Sequence, residues 1–223
     1  MDQVMGEQAR IGLTKQIEMD YIMKRQGDDE RPLTKIDGTR DTDQSITYSR
    51  GGMVFWMLSN LMGRENFNKG LAEMIRRFPA GTADAPLVED LLETIRPFAP
   101  DKMQYDQFAA EWIKGSALPN LFLDDIAKSA SADQSWLVKG KLRNDGTSTI
   151  EIEIAATKGE RFPEKDTESA EKTAFQQART KLRLGPNASA DFEIKCNFEP
   201  DQIVADPDFK QLMRGRDRLE KKL

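Results

Sequence analysis

Apolar residues recur at helical spacing through the first half of the chain and at every second position through much of the second half. From Glu7 to Lys24, Ile11, Ile17, Tyr21 and Ile22 mark one helix face. The segment Thr47 to Met62 is the most apolar in the chain and carries Met53, Val54, Phe55, Trp56, Met57, Leu58, Leu61 and Met62. Apolar on nearly every face, it predicts a buried helix, with Gly63 placed to end it. Phe67, Leu71, Met74, Ile75 and Phe78 follow amphipathic spacing up to Pro79. Pro86 opens another helix, with Leu87, Val88, Leu91, Leu92 and Ile95 inward. Tyr105, Phe108, Ala109, Trp112 and Ile113 give a further one, which Gly115 terminates.

Near Pro119 the period changes to two. Trp136, Val138, Gly140 and Leu142 alternate with Leu137, Lys139 and Lys141. Ile150, Ile152 and Ile154 alternate with Glu151 and Glu153, and Phe192, Ile194, Cys196 and Phe198 with Glu193, Lys195 and Asn197. Lys181 to Leu184 is a candidate strand, and Asn144-Asp145-Gly146 is a hairpin signal. The pattern predicts an α+β protein: an N-terminal helical layer over 1–117, then an antiparallel β-sandwich over 118–223 with a short C-terminal helix after the Asp206-Pro207-Asp208 turn. The boundary falls between about Gly115 and Leu121. Two polar stretches, Gly27 to Asp43 and Gly159 to Lys172, read as loops, the second exposed and mobile.

Composition narrows the chemistry. Thirty-eight acids against 33 bases, a net charge of -5, argue against a partner held through nucleic-acid phosphates. The chain has 223 residues, 38% of them hydrophobic and 32% charged, which fits a soluble globular protein. The longest apolar run, Met53 to Leu58, is too short to span a bilayer. The N-terminus lacks the basic start and apolar run of a signal peptide, so the chain is either cytoplasmic or an internal piece whose targeting segment lies elsewhere.

There is no histidine, and Cys196 is the one cysteine, so neither an internal disulfide nor a histidine- or cysteine-rich metal site can form. Catalysis would rest on carboxylates, Tyr, Lys, Ser or Thr. Asp124-Asp125 and Asp28-Asp29-Glu30 read as solvated loop charges, and Cys196 as a buried, inert thiol. The informative segment is Ile46 to Leu58, where Tyr48-Ser49-Arg50-Gly51-Gly52 leads into the apolar helix. Paired glycines weaken a helix unless something approaches the backbone closely, and helix packing is the simpler reason for such an approach.

That segment resembles the aminopeptidase N (membrane alanyl aminopeptidase) family of zinc metallopeptidases. Its members carry a Tyr-x-Lys-Gly-Ala stretch before a hydrophobic helix; here Arg50 stands for Lys and Gly52 for Ala. Downstream, Leu61-Met62-Gly63 with Phe67 resembles the family's Leu-Gly-x-x-x-Phe link. Asp90-Leu91, Phe108, Trp112, Gly115 and Pro119 follow in the family's order, as do Trp136, Gly140, Asn144 and Asp206-Pro207 in the β part.

The resemblance runs from about Leu33 onward and implies that the helical layer is the end of a thermolysin-like catalytic domain. It implies a catalytic role for Tyr48, donating a hydrogen bond to the oxyanion formed during hydrolysis of an N-terminal residue from a peptide. The family's zinc is held by an H-E-x-x-H helix and a later Glu, none of which is present. The resemblance therefore implies zinc in the parent protein and none on this chain, with an upstream zinc-binding half and a peptide substrate as partners.

No residue is assigned to substrate binding. The Arg31-Pro32-Leu33 loop and the first helix resemble bacterial relatives fused to membrane-spanning permease segments, which implies a membrane-anchored parent. The competing expectation is a non-catalytic helical and β-sandwich module that docks a partner protein.

Overall fold

The computed structural model describes residues 2–25, 30–81, 85–131, 133–163 and 174–223. It is an α+β fold, a helical part followed by two antiparallel sheets. Contacts divide it into two units: Leu13–Ala117, and Leu118–Leu223 together with Met1–Gly12.

Helix α1 spans Asp2–Lys24 and is interrupted at Gly6, whose φ of 77° and ψ of 166° are not helical. A single 3₁₀ turn, Leu33–Lys35, follows in the polar stretch. The apolar helix begins earlier than its hydrophobic residues indicate. A short α2, Asp43–Ser45, runs through a π-helical turn over Ile46–Arg50 into α3, Gly51–Met62. Tyr48 thus lies within the helix rather than ahead of it. Met53, Val54, Met57, Leu58 and Met62 are buried, and Gly63 at φ 76° ends the helix.

The remaining helices are α4 Arg64–Arg77, α5 Val88–Ile95 and α6 Lys102–Phe108, the last running into a second π turn over Ala109–Ile113. The Asp90 carboxylate accepts the Leu87 N–H at 2.9 Å at the start of α5. Asp101 caps α6, accepting from the N–H groups of Met103 at 2.9 Å and Gln104 at 3.0 Å. In the core, the Tyr105 hydroxyl donates to the Leu92 carbonyl at 2.9 Å, and burial pushes its pKa up to about 12. Phe108 stacks on Trp112 with ring centroids 6.1 Å apart.

The sandwich strands are β1 Leu121–Ala130, β2 Trp136–Asn144, β3 Ile150–Lys158, β4 Gln176–Leu184, β5 Ala188–Cys196, β6 Gln202–Ala205 and β7 Glu220–Lys222. One sheet has the order β1-β2-β5 and the other β4-β3-β6-β7. Val138 lies opposite Ile194, and Ile152 opposite Leu182. The alternation seen in the sequence is the inward face: Val138, Leu142, Ile150, Ile152, Ile154, Phe192, Ile194 and Cys196 share one buried cluster. Strands β1, β6 and β7 carry weaker alternation, and the period-two pattern does not mark them.

The hairpin reading of Asn144-Asp145-Gly146 is corrected by the topology. β2 and β3 do not pair; they lie in different sheets, and the turn carries the chain from one to the other. Side-chain chemistry explains the change. Asn144 is fully buried; its amide donates to the carbonyls of Ser148 at 2.8 Å and Gly185 at 3.0 Å. Its Oδ1 accepts the Gly146 N–H at 2.9 Å, an Asx turn in place of a hairpin turn. Gly146 is required because a Cβ there would strike the backbone of Leu118, Pro119 and Asn120.

The expected C-terminal helix is also corrected. It is one 3₁₀ turn, Arg216–Leu219, and the chain then returns to the sheet as β7. The Asp206-Pro207-Asp208 segment is a hub rather than a helix start. Asp206 is buried at φ 52° and accepts the N–H groups of Lys210 at 2.8 Å and Gln211 at 3.0 Å. Of the stretch from Gly159 to Lys172, residues 164–172 lie outside the described residues.

Asp208 is the anchor of an ionic network within this unit. Its carboxylate meets Arg179 at 2.6 Å, Arg161 at 2.8 Å and Lys210 at 3.2 Å, while its carbonyl accepts from Arg10 at 2.8 Å. Burial raises the Asp208 carboxyl, but hydrogen bonds from Arg179 and Arg161 outweigh it, and the net shift is well below the usual carboxylate range. A depressed folded-state pKa contributes stability above the unfolded value of about 4, which is lost as pH falls below it. Asp208→Asn is therefore expected to lower the thermal midpoint at pH 7. The gap between variant and parent should close as pH is lowered from about 4 toward about 2. A pH-independent gap in melts across that range counts against the assignment.

Candidate functional site

Tyr48 sits in the π turn between α2 and α3, and its neighbours on that turn face opposite ways. Its side chain is 73% exposed, whereas Arg50, two positions on, is 0% exposed. Residues two apart on a helix point to opposite sides, so burying one exposes the other. The Tyr48 hydroxyl makes no hydrogen bond among the described residues. It lines an open depression together with Asp20, Met23, Gln44 and Ser49. Met23, the one apolar aliphatic side chain of this lining, is 70% exposed, and the rest of the depression is polar. Ser49 donates to Asp20 at 3.0 Å, and Lys24 pairs with the same carboxylate at 2.8 Å. Lys24 and then Ser49 hold Asp20 below the ordinary carboxylate range.

Behind this turn lies a buried ionic cluster. Arg50 Nε is 3.3 Å from Glu30 Oε1, and Arg50 Nη2 donates to the Gly115 carbonyl at 3.1 Å. The Tyr21 hydroxyl donates to Glu30 at 2.9 Å and accepts from Arg25 at 3.1 Å. Burial first, and Glu30 second, push the Tyr21 hydroxyl pKa upward. Burial pulls the Arg50 guanidinium downward, against the support of Tyr21 and Glu30.

Glu30 is thus not a solvated loop charge: its side chain is 5% exposed and faces two arginines. The sequence signal for this cluster is Arg50 itself, an arginine at the edge of the most apolar helix, which must find a carboxylate or remain an uncompensated buried charge. Nothing in the polar loop marks Glu30 as that partner. Asp28 and Asp29 lie outside the described residues.

The two glycines differ. Gly51 is buried, and a Cβ there would make ordinary contacts with Leu33 and the Ile46 carbonyl. Gly52 is exposed, and a Cβ there would meet nothing. Packing within this unit accounts for the burial of Gly51 and leaves Gly52 unexplained. Cys196 is buried in the sandwich core, and burial raises its pKa, which leaves it a poor nucleophile. Asp124 pairs with Arg143 at 3.0 Å, and Asp125 occupies a bulge in β1 at φ 52°.

The donor set does not fit a zinc ion. The chain has no histidine and one buried cysteine, and no group of three His, Cys, Asp or Glu side chains that could hold a metal is found among the described residues. No helix among them is long and apolar enough to cross a membrane.

No protein-family profile matches the chain, and no curated protein matches it. Among solved structures it is similar to β-glucosidase 3B from Thermotoga neapolitana in complex with glycerol, at 16% identity and a TM-score of 0.31. That match covers 66% of this chain and 22% of the glucosidase chain. At this score the likeness carries no argument.

Proposed function

We propose that this chain is the Tyr48-bearing wall of a metallo-aminopeptidase-like protein whose zinc-binding half is supplied by a preceding segment of the same polypeptide. The observation that carries the proposal is the exposed phenol: Tyr48 stands on a helical turn, over an open depression, beside exposed Met23. A neutral donor on a rigid helix is suited to an oxygen that gains charge during acyl transfer, provided that water is excluded around it. The reaction would be hydrolysis of the N-terminal residue of a peptide, with Tyr48 donating to the carbonyl oxygen as it becomes tetrahedral. No step is assigned to the metal, because this chain holds none of its ligands.

A second reading is a non-catalytic docking module, and the same exposed Tyr48 and Met23 support it. The parent protein separates the two. A parent carrying H-E-x-x-H and a later Glu upstream of Met1 should bind one zinc per chain and hydrolyse aminoacyl amide reporters. The 223-residue chain alone should hold well under one zinc after dialysis. A parent without the motif and without activity overturns the peptidase reading in favour of the docking module.

A further inference from the structure

Among the described residues, Arg50 is the one charged side chain in the group of large, fully buried ones, and it reaches Glu30 and the Gly115 carbonyl, both outside its own helix. It closes the π turn that carries Tyr48, while Glu30 lies in the polar loop and Gly115 just beyond the second π turn. A π turn holds one residue more than an α turn and is rarely stable by itself. Relaxing it to an α turn rotates the helix on one side by about 100° relative to the other. With α3 held by its buried methionines, that rotation would fall on Tyr48.

A buried guanidinium resists such a rotation, because leaving Glu30 strands both charges without water. We infer that Arg50 is a positioning residue that pins the register of the π turn and thereby holds the Tyr48 phenol in the depression. The inference rests on the role proposed for Tyr48, but it concerns geometry and can be tested without peptidase activity. Gly115 belongs to the same device. A Cβ at that position would strike the carbonyls of Glu111 and Ala110, so the exit of the second π turn that offers its carbonyl to Arg50 depends on glycine.

The chain has three tyrosines, two buried and one exposed, so fluorotyrosine labelling yields three fluorine resonances, assignable by Tyr→Phe variants. In the unaltered 223-residue chain, Tyr48 should give one narrow line. In Arg50→Met, which keeps the length and removes the charge, that line should move by more than its width or split, while the Tyr105 line stays in place. Arg50→Lys should restore a single line, since it retains a cation for Glu30. Ser49→Ala, which removes the part-buried bond to Asp20 and leaves the Arg50 contacts intact, should leave the Tyr48 line single and narrow.

A Tyr48 line unchanged in Arg50→Met, with a lowered melting midpoint, overturns the inference and leaves Arg50 as a stability residue. Such a result would not touch the catalytic proposal. If Arg50→Met does not fold, Glu30→Gln decides. It should displace the Tyr48 line in the same direction as an unfolding-independent shift, and an unmoved line there is equally fatal. In a parent shown to be an active peptidase, a displaced Tyr48 should lower kcat with KM nearly constant.

Discussion

Tyr48→Phe in the proposed parent peptidase is expected to lower kcat on the order of 100- to 1000-fold while changing KM little. The substitution removes one hydroxyl and almost no volume. In this chain that hydroxyl has no hydrogen-bond partner among the described residues, and the side chain is 73% exposed. Folding therefore loses nothing, and thermal melts of the 223-residue chain should coincide with and without the hydroxyl. A bond formed only as negative charge develops on the substrate oxygen appears in kcat and not in ground-state binding.

Tyr105 supplies the contrast. Its hydroxyl is buried and donates to the Leu92 carbonyl, so Tyr105→Phe should cost about 1 kcal/mol of stability and leave kcat within a few-fold. Steady-state kinetics beside melts distinguish the two tyrosines. An intact kcat in Tyr48→Phe removes the catalytic role proposed for this chain.

Ile152→Asp should be the most damaging single change in the sandwich. Ile152 is 1% exposed, between Ile150 and Ile154 on β3, and its cluster includes Val138, Leu142, Phe192 and Ile194. A carboxylate there would have no cation within the apolar cluster, at a cost of about 3–5 kcal/mol. That is a large share of the roughly 5–15 kcal/mol that holds a domain together, so much of the sandwich should unfold near room temperature.

Glu151 is the paired control. It points to the outer face, where it meets Lys181 at 2.5 Å with both side chains substantially exposed. Glu151→Lys loses that ion pair and places like charges side by side, for roughly 1 kcal/mol or less. Urea denaturation with tryptophan fluorescence gives both values. Equal costs would mean that the strand register is wrong.

The strands were legible where alternation was strict. Ile150, Ile152 and Ile154, or Phe192, Ile194 and Cys196, leave only one way to face a core. The pairing was not legible. A turn signal such as Asn144-Asp145-Gly146 marks a change of chain direction, but the turn type and the partner of each strand are set by contacts far away along the chain. The buried amide of Asn144 takes carbonyls from Ser148 and Gly185, and no local pattern marks the second of these.

At the candidate site, Tyr48 was singled out by its neighbours in the sequence, and the structure exposes it beside Met23. Its place within a π turn was hidden, because a wide turn differs from an α turn by one hydrogen-bond step and has no compositional mark. Glu30 was misread for a related reason: a carboxylate in a polar loop is solvated in most proteins, and only the three-dimensional approach of Arg50 and Arg25 makes it otherwise.

The passage of the chain from one sheet to the other at Asn144 has a kinetic consequence. Each sheet can begin from strands that are neighbours in sequence, β1 with β2 and β3 with β4, and such local pairs form within microseconds. Completing the sheets takes longer, because β5 must return to β2, with Trp136 opposite Cys196 and Asn144 opposite Ala188, and β6 must return to β3. Such pairings close long loops before they gain anything, and sandwiches built this way fold in milliseconds to seconds. During that interval the edge of β3 that later takes β6 is unpaired, and its alternating isoleucines lack the facing sheet. The charged residues between them, Glu151 and Glu153, then guard the nascent chain against pairing with another copy of itself.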